Sequence, residues 1–580
     1  MSIRRTVALL LPELYSDYFD GVVTGAKMAA EEKKINLLVI VGGIYGRDKE
    51  KNVLYQLADQ KSIEAVVTPP STIVMDMSDY EPFMKLSEGK PQLTISDKHE
   101  GIPCIYYDNT TGIREAMDYL INNKGCNRIL MFAGPEYSGD GEERLSTYMA
   151  SMKAAGLHVE DRMVARGDHR PGCIEEARKL IEANPGADAI ICSNDWQAQA
   201  IYRVLREKDM KVGRDIFVTG FDDLSESAYM DPPLASVSAS PIALGYEAIT
   251  LAGRMADGEE PQDKVLKCRF VNRESAGYDP YYQLFNFERR KNFRTGTFFD
   301  IPSLASSMVD FIFTGDAQEY QAGCQRKLLE DFFMRLLETH LGDVVRRRSM
   351  HTNDIAFGNI FGPGGTDNMD CDRLFRVLDS IYRVYCAREM SETSRMELSN
   401  LIARVKSIVA ESLERKSGDS RKVVDSKHVS IGRFSNRLVS IDPDDPERYG
   451  KLMEALPFIG VMSASIFMYE RPIKQHRDEK FVMPEKLYLK AFRDRTGVHI
   501  VDEQHQVTDT ADVMDYRYLE GGMSHSFFAM ALHYGGYQLG IMLLDLEDEY
   551  NGSFMLINNE ISLAVSHWTG EKTGGSLDQL

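Results

Sequence analysis

The stretch IYYDNTTGIREAMDYLINNKGCNRILMFAGP, residues 105–135, decides the fold. It places a predicted amphipathic helix, Gly112–Asn122, directly before the apolar run RILMFAG, which begins at Arg128. A continuous apolar run is typical of a strand that is buried on both faces, because helices cover each side of a parallel sheet. The stretch therefore predicts one helix-and-strand unit of an α/β fold.

The same pattern extends in both directions, from Thr6 to about Arg273. The other predicted strands are VALLLP from Val7, NLLVIV from Asn36, EAVVT from Glu64, QLTI from Gln92, DAIICSN from Asp188 and DIFVTGFDD from Asp215. The other predicted helices are Gly21–Lys33, Glu142–Ala155 and Asp195–Lys208. Repeated strand-and-helix units favour doubly wound parallel sheets, in which ligands bind beyond the carboxyl ends of the strands.

The composition is that of a globular protein. Of the 580 residues, 43% are hydrophobic and 27% are charged, and a chain of this length folds into several domains. The net charge of −20 argues against broad, sequence-independent binding to nucleic acid, because such binding requires a basic surface. This class of function is therefore not expected of the chain as a whole.

The sequence also predicts the compartment. The apolar run after Arg5 is too short for a secretory signal, and no stretch reaches the roughly 18 apolar residues of a membrane span. The eight cysteines include no CxxC pair, which favours free thiols in a reducing cytoplasm. We therefore expect a cytoplasmic protein without a membrane segment.

Beyond Tyr278 the pattern becomes helical, over residues 300–345 and 371–416. One stripe of apolar residues has helical spacing: Leu398, Leu401, Val405, Ile408 and Val409. Such a stripe is typical of a helix that faces a core, and the alternative is the seam of a parallel dimer. Residues 414–428 are polar, which predicts a linker or an extended loop.

From about Val429 to Trp568 the predicted order is a helix, then strands, then a final helix. Gly535-Gly536 separates two apolar runs in FFAMALHYGGYQLGIMLLDLE, which is a strong signal for a β-hairpin. The sequence therefore divides into an α/β region at 1–280, a helical segment at 281–425, an α+β domain at 426–570 and a tail at 571–580.

Residues 1–280 resemble the sensor domain of LacI/GalR-type repressors, which are related to the periplasmic sugar-binding proteins. Besides residues 105–135, the matching stretches are LLPELYSDYFDGVVTGAKMAAEE, ERLSTYMASMKAAGL, SNDWQAQAIYRVLRE, VGRDIFVTGFDDLSESAYMDPPLASV and FVNRESAG. The resemblance implies that residues 1–280 are a ligand-sensor domain with a two-lobed, periplasmic-binding-protein type 1 fold, in which the lobes split near residue 107. It also implies a small polar ligand between the lobes, sugar-like or nucleoside-like, and a homodimer.

The resemblance assigns candidate ligand-binding residues. They are Arg144 in ERL, Asn194 in SND, Asp222 in GFDD, Asp97 in ISD, His169 after a strand, and Tyr15 and Tyr18 in the loop after the first strand. A guanidinium offers donors and carboxylates offer acceptors, as a small polar ligand requires. The alternative is structural, because Asn194 and the GFDD aspartates could simply cap helices.

The family begins with a helix-turn-helix and a hinge helix, whereas the similarity here starts at about residue 5. The sequence therefore argues against direct DNA binding. Residues 426–570 resemble a GAF-type domain of bacterial signalling proteins, and no GG(D/E)EF signature of a diguanylate cyclase is present. Three functions stay open: a ligand-responsive signalling protein that acts through an output-domain partner, a LacI-superfamily transcriptional regulator acting on DNA directly or through a partner, and the sensory part of a diguanylate cyclase.

No motif of an enzyme emerges from the sequence. FGPGG lacks the lysine and hydroxyl residue of a phosphate-binding loop, and the twelve histidines include no HExxH. We therefore expect a protein that is not an enzyme, with no cofactor and no metal site.

Overall fold

The computed structural model describes residues 4–14, 16–96, 98–136, 138–168, 172–278, 301–312, 323–341, 360–361, 369, 371–386, 392–475, 481–514 and 526–570. Among the helices of these residues, none has the length and apolar composition that a membrane crossing requires.

Lobe 1 is built on six parallel strands in the order β11-β5-β4-β3-β1-β2. These strands are β1 (Thr6–Leu11), β2 (Asn36–Val41), β3 (Ala65–Thr68), β4 (Gln92–Ile95), β5 (Cys104–Tyr107) and β11 (Lys264–Leu266). Its helices are α1 (Asp17–Lys33), α2 (Lys49–Asn52), α3 (Pro70–Ile73), α4 (Met77–Met84) and α9 (Pro241–Ala256). Strands β1 to β3 are buried over their whole length, as expected for a sheet with helices on both faces.

Lobe 2 is built on a second sheet in the order β12-β10-β9-β8-β6-β7. Its strands are β6 (Ile129–Ala133), β7 (Val164–Arg166), β8 (Ala189–Cys192), β9 (Phe217–Asp222), β10 (Ala235–Ser238) and β12 (Arg269–Val271). Its helices are α5 (Asn109–Asp118), α6 (Gly139–Ala154), α7 (Ile174–Ala183) and α8 (Asp195–Glu207). All pairs are parallel except β10 with β12. Each of the seven apolar runs predicted as a strand contains one, and the sequence missed β5, β7, β10, β11 and β12.

The chain passes between the two lobes at three points. The first is Asp108, between β5 and α5, the second is 239–240, between β10 and α9, and the third is 267–268, between β11 and β12. A few residues at element ends are the usual site of a hinge between two rigid bodies. The connections therefore allow the lobes to move relative to each other.

Helices α1 and α9 cross in lobe 1 with their backbones in unusually close approach. A methyl group on Gly25 would overlap the carbonyl oxygen of Ile242, and one on Gly245 would overlap the carbonyl oxygen of Val22. The absence of a side chain at both glycines is what permits this crossing. The packing of α1 against α9 in lobe 1 therefore depends on glycine at positions 25 and 245.

The helical segment contains α10 (Ile301–Ile312), α11 (Gly323–Leu341), α12 (Cys371–Cys386) and the long α13 (Glu392–Val439). The predicted apolar stripe on α13 packs into a core that these helices share, with Leu398, Val405 and Val409 buried. The interpretation as a core-facing stripe is therefore confirmed. The predicted linker at 414–428 is wrong, because α13 runs through it without interruption.

The C-terminal module, residues 426–570, contains the end of α13 and an antiparallel sheet between helices. Its elements are α14 (Arg448–Ala455), β13 (Ala464–Lys474), β14 (Lys486–Asp494), β15 (Gly497–Ile500), β16 (Val507–Asp509), β17 (Ser526–Tyr534), β18 (Tyr537–Leu544) and α15 (Phe554–Gly570). The predicted hairpin is confirmed: β17 pairs with β18, and Gly535 and Gly536 both have positive φ, as a tight two-residue turn requires.

The sheets of lobe 1 and the C-terminal module are one continuous sheet of twelve strands. Strand β17 pairs in parallel with β2, in register from Ser526 opposite Leu37 to Ala529 opposite Ile40. The sequence predicted separate domains in series and gave no sign of this pairing, because parallel partners here lie almost 500 residues apart in the chain. The edge of lobe 1 is therefore closed by the chain's own C-terminal module.

Candidate functional site

Polar side chains from both lobes converge at the carboxyl ends of the strands. Tyr18 belongs to the first turn of α1 in lobe 1, and its side chain lies near Ser96, which directly follows β4. Across the cleft, Tyr18 interacts electrostatically with Arg144 and Asp140 on α6 and with Asp222 at the end of β9. Three of the predicted residues, Tyr18, Arg144 and Asp222, therefore lie near one another, on both sides of the space between the lobes.

Arg144 is the most connected of these residues, and its side chain is only 5% exposed. Its Nε donates to Asn109 Oδ1 at 2.9 Å, and its Nη1 donates to the carbonyl oxygen of Ser193 at 2.6 Å. The guanidinium lies flat over the ring of Phe221 at 3.5 Å, and its Nη2 lies 3.9 Å from Asp140 Oδ2. A guanidinium fixed in this way keeps Nη2 donors for a planar or hydroxylated partner.

Asp222 occupies a strained position at the end of β9. Its φ is 99° and that of the next residue, Asp223, is 54°, values that residues with a side chain rarely adopt. Asp222 is half-buried, and desolvation raises the pKa of its carboxyl to about 7, against the opposing effect of Arg144. A carboxyl that is surrounded by protein and still reachable from the cleft is suited to accept hydrogen bonds from a ligand.

A buried network holds the loop that carries Asp222. Asp195 is completely buried, and it accepts hydrogen bonds from Ser236 Oγ at 2.6 Å, Ser227 Oγ at 2.5 Å and the Leu224 amide at 2.8 Å. The neighbouring Asp223 forms a buried ion pair with Arg273 at 2.6 Å. Because these bonds fix the two residues that follow the strained position, Asp223 and Leu224, Asp222 is held in place before any ligand arrives.

Tyr107, at the end of β5, lies among the same charged groups. Its side chain is buried, and its hydroxyl has no hydrogen-bond partner within the described part of the chain. Burial raises its pKa well above the ordinary value, with Tyr18, Asp222 and Asp140 acting in the same direction. A buried, unpartnered hydroxyl costs free energy unless another group satisfies it.

The other predicted residues have different outcomes. Asn194 is buried at the start of α8, where its Oδ1 accepts from the Gln197 amide at 2.9 Å. This is the helix-capping contact that the sequence left open, although the preceding residue supplies the carbonyl that binds Arg144. Asp97, His169 and Tyr15 lie outside the described residues.

The sequence did not identify Asn109, Asp140 or Tyr107 as residues of the cleft. Asn109, the first residue of α5, is fully buried and connects three groups, because its Nδ2 donates to Asp140 at 2.9 Å and to Glu143 at 2.8 Å while its Oδ1 accepts from Arg144. The available signal was the position of Asn109 and Asp140, each at the start of a helix that follows a buried strand.

No cluster suited to a metal ion was found among His, Cys, Asp and Glu of the described residues.

The raised pKa of Asp222 predicts a pH-dependent stability. In an unfolded chain this carboxyl ionises near pH 4, whereas the folded protein keeps its proton up to about pH 7. Raising the pH from 4 to 7 therefore favours unfolding, by on the order of 3 kcal/mol for this group, with no further change above pH 7. We expect Asp222→Asn to be close to the wild type in thermal unfolding at pH 4 and to be more stable at pH 8. Equal melting temperatures at pH 8 would contradict the assignment.

Comparisons with known proteins agree with this two-lobed architecture. Residues 117–276 match the family model described as "Periplasmic binding protein-like domain". The HTH-type transcriptional repressor CytR of Escherichia coli is 24% identical over 279 residues, which are 47% of this chain and 79% of that protein. The HTH-type transcriptional regulator CelR of Thermobifida fusca is 29% identical over 282 residues, which are 47% of this chain and 81% of that protein.

Among solved structures, a transcriptional regulator CelR–cellobiose complex is 28% identical, with a TM-score of 0.42, and the match covers 47% of this chain and 86% of that one. The first half of the chain therefore contains a periplasmic-binding-protein-like domain that is similar to the sensor domains of LacI-type regulators. The family model ends at residue 276, and the relatives named here each cover 47% of this chain.

Proposed function

We propose that residues 4–278 bind a small polar metabolite, sugar-like or nucleoside-like, between the two lobes. The observations that carry the proposal are the fixed Arg144 guanidinium of lobe 2 and the buried, unpartnered Tyr107 hydroxyl of lobe 1, with Tyr18 and Asp222 near both. Donors and acceptors that converge from two hinged bodies on one cleft are the arrangement that a small polar ligand needs.

The charges in the cleft narrow the ligand's chemistry. Arg144 offers N–H donors, Asp222 offers a carboxylate acceptor, and the Tyr107 hydroxyl lacks a partner among the described residues. A bound anion would be repelled by the carboxyl groups of Asp222 and Asp140, and a bound cation would be repelled by the guanidinium of Arg144. A neutral molecule with several hydroxyl groups satisfies all of these groups at once.

The names of the relatives also favour a sugar-like ligand. A ribose operon repressor of Bacillus subtilis is 24% identical over 248 residues, and CelR was solved with cellobiose. We propose that this chain is a non-enzymatic, ligand-responsive regulator, that closure of the cleft is its switch, and that it works as a homodimer through an output partner. Closure acts as a switch only if the ligand binds the closed state better than the open one.

The cheapest test is a thermal-shift screen of the full chain against pentoses, hexoses, disaccharides, nucleosides and polyols. A specific ligand at one hundred times its Kd stabilises the folded state by about 2.7 kcal/mol. We expect one chemical class to raise the melting temperature in the wild type and not in Asp222→Ala. If no compound of these classes acts at millimolar concentration, the proposed ligand class is wrong.

Transcriptional regulation is a second candidate function, because the relatives that match the sensor domain are transcription regulators. The net charge of −20 disfavours a large DNA-binding surface, so the regulator would act through a partner or a small basic element. A gel shift with the upstream region of its own gene separates this function from signalling through a protein partner alone.

A further inference from the structure

Lobe 1 and the C-terminal module are joined by more than strand pairing. Gln56 of lobe 1 makes two backbone bonds to the module, donating to the carbonyl oxygen of Phe481 at 2.7 Å and accepting from the Met483 amide at 2.9 Å. On the other face, Lys27 of α1 donates to the carbonyl oxygen of Leu546 at 2.7 Å. Because these bonds flank a shared sheet and a shared core, lobe 1 and the module form one body.

Lobe 2 is connected instead to the helical segment. The Asp223–Arg273 ion pair lies directly behind the cleft residue Asp222, and the Arg273 carbonyl accepts from the Tyr278 amide at 3.3 Å. The Tyr278 side chain packs against the core of the helical segment. A continuous series of contacts therefore leads from the cleft through lobe 2 into the helices.

Helix α13 is the element that spans these two bodies. Its N-terminal part packs into the helical core through Leu398, Val405 and Val409. Its C-terminal part packs into the module through Phe434 and Leu438. At 1.5 Å per residue, the 48-residue helix is about 70 Å long. A movement of lobe 2 that carries the helical core with it through Tyr278 would therefore displace one end of α13 relative to the other.

The centre of α13 is the weakest part of the helix. Residues 417–420 read Ser-Gly-Asp-Ser, four consecutive residues of low helix propensity, and Gly418 alone costs about 1 kcal/mol relative to alanine. This composition is the reason why the sequence predicts a linker there. The helix forms nevertheless because both of its ends are fixed in packed cores.

We infer that residues 411–428 of α13 are a built-in yielding point, which unfolds locally when the two lobes move, so that the helicity of this segment depends on the state of the cleft. The inference goes beyond the proposed function and rests on it only in taking the lobes to move about their hinge. Local unfolding of this kind has a direct signature, which is faster amide hydrogen exchange than in the flanking turns.

The experiment needs no ligand. Tyr18 and Asp140 are replaced by cysteine in the full chain with Cys324→Ser and Cys386→Ser, and a short bismaleimide then joins the lobes across the cleft. The other six cysteines are buried. Hydrogen exchange with mass spectrometry compares residues 411–428 with 398–409 and 431–438, before and after cross-linking.

We expect the amide hydrogens of residues 411–428 to exchange at least a hundredfold faster than those of both flanking segments. Cross-linking of the lobes is expected to change the exchange rate of residues 411–428 at least tenfold and to leave the exchange rates of the flanking segments unchanged. A triple variant, Ser417→Ala, Gly418→Ala and Ser420→Ala, is expected to slow exchange about thirtyfold, from the summed helix propensities. Equal exchange in centre and flanks, or a rate that cross-linking leaves unchanged, overturns the inference. Both outcomes are independent of the ligand screen, so a failed screen and a failed yielding point are distinguishable.

Discussion

Replacing Arg144 with alanine is expected to weaken binding of the stabilising metabolite at least a hundredfold. The guanidinium is buried against Phe221 and is positioned by Asn109 and the Ser193 carbonyl. Removal of one partner from a buried, charge-assisted contact costs about 2–5 kcal/mol. Isothermal titration calorimetry of wild type and variant measures the difference, and we expect the pKa of Asp222 to rise further, because Arg144 now lowers it.

Two further variants test whether the loss of binding is specific to the guanidinium of Arg144. Arg144→Lys keeps the charge and loses the flat fork that stacks on Phe221, so we expect it to bind almost as weakly as the alanine variant. Arg166→Ala removes another arginine of lobe 2, which is paired with Glu142 at 2.5 Å and is a third exposed, and it should bind normally. If Arg144→Lys binds the metabolite with full affinity, a positive charge at this position is sufficient, and the stacking of the guanidinium on Phe221 is not needed for binding.

Gly245→Ala is expected to destabilise lobe 1 by at least about 3 kcal/mol, which is in the range of overpacked cores. The added methyl group would collide with the carbonyl oxygen of Val22 and the amide of Ala26, and backbone cannot move aside as a side chain can. The measurement is chemical denaturation followed by a probe in lobe 1. The effect follows from the crossing of α1 and α9 and requires no ligand.

The matched control is Gly432→Ala, at a helical glycine with open space around it. Here the same substitution should be neutral or stabilising by up to about 1 kcal/mol, because alanine is the better helix former. If both variants behave alike, the close crossing of α1 and α9 does not determine the stability of lobe 1.

The sequence predicted lobes 1 and 2 well because their strands are continuous apolar runs, such as those at Asn36 and Asp188, and this signal is local. Short strands were missed where burial is partial, as in β7 and β11. Arg144 and Asp222 were predicted as ligand-binding residues from the ERL and GFDD motifs of the resemblance, and their role in binding stays a prediction. Asn109 was missed because its role depends on Asp140, Glu143 and Arg144, which the fold brings to it from another helix.

Two other features lay beyond sequence reasoning for physical reasons. The pairing of β2 with β17 joins distant parts of the chain, and the amino-acid composition of a strand does not predict which other strand it pairs with. Residues 414–428 have the propensity of a loop, yet they are helical because cores at both ends hold them. In both cases tertiary contacts outweigh the local preference.

The most direct test of the ligand site is a crystal structure of the chain with the compound that gives the largest thermal shift. We expect the compound between the lobes, with its hydroxyl groups within hydrogen-bond distance of Arg144 and Asp222 and the Tyr107 hydroxyl satisfied. A compound that occupies any other part of the chain, with the cleft filled only by water, would contradict the proposed function.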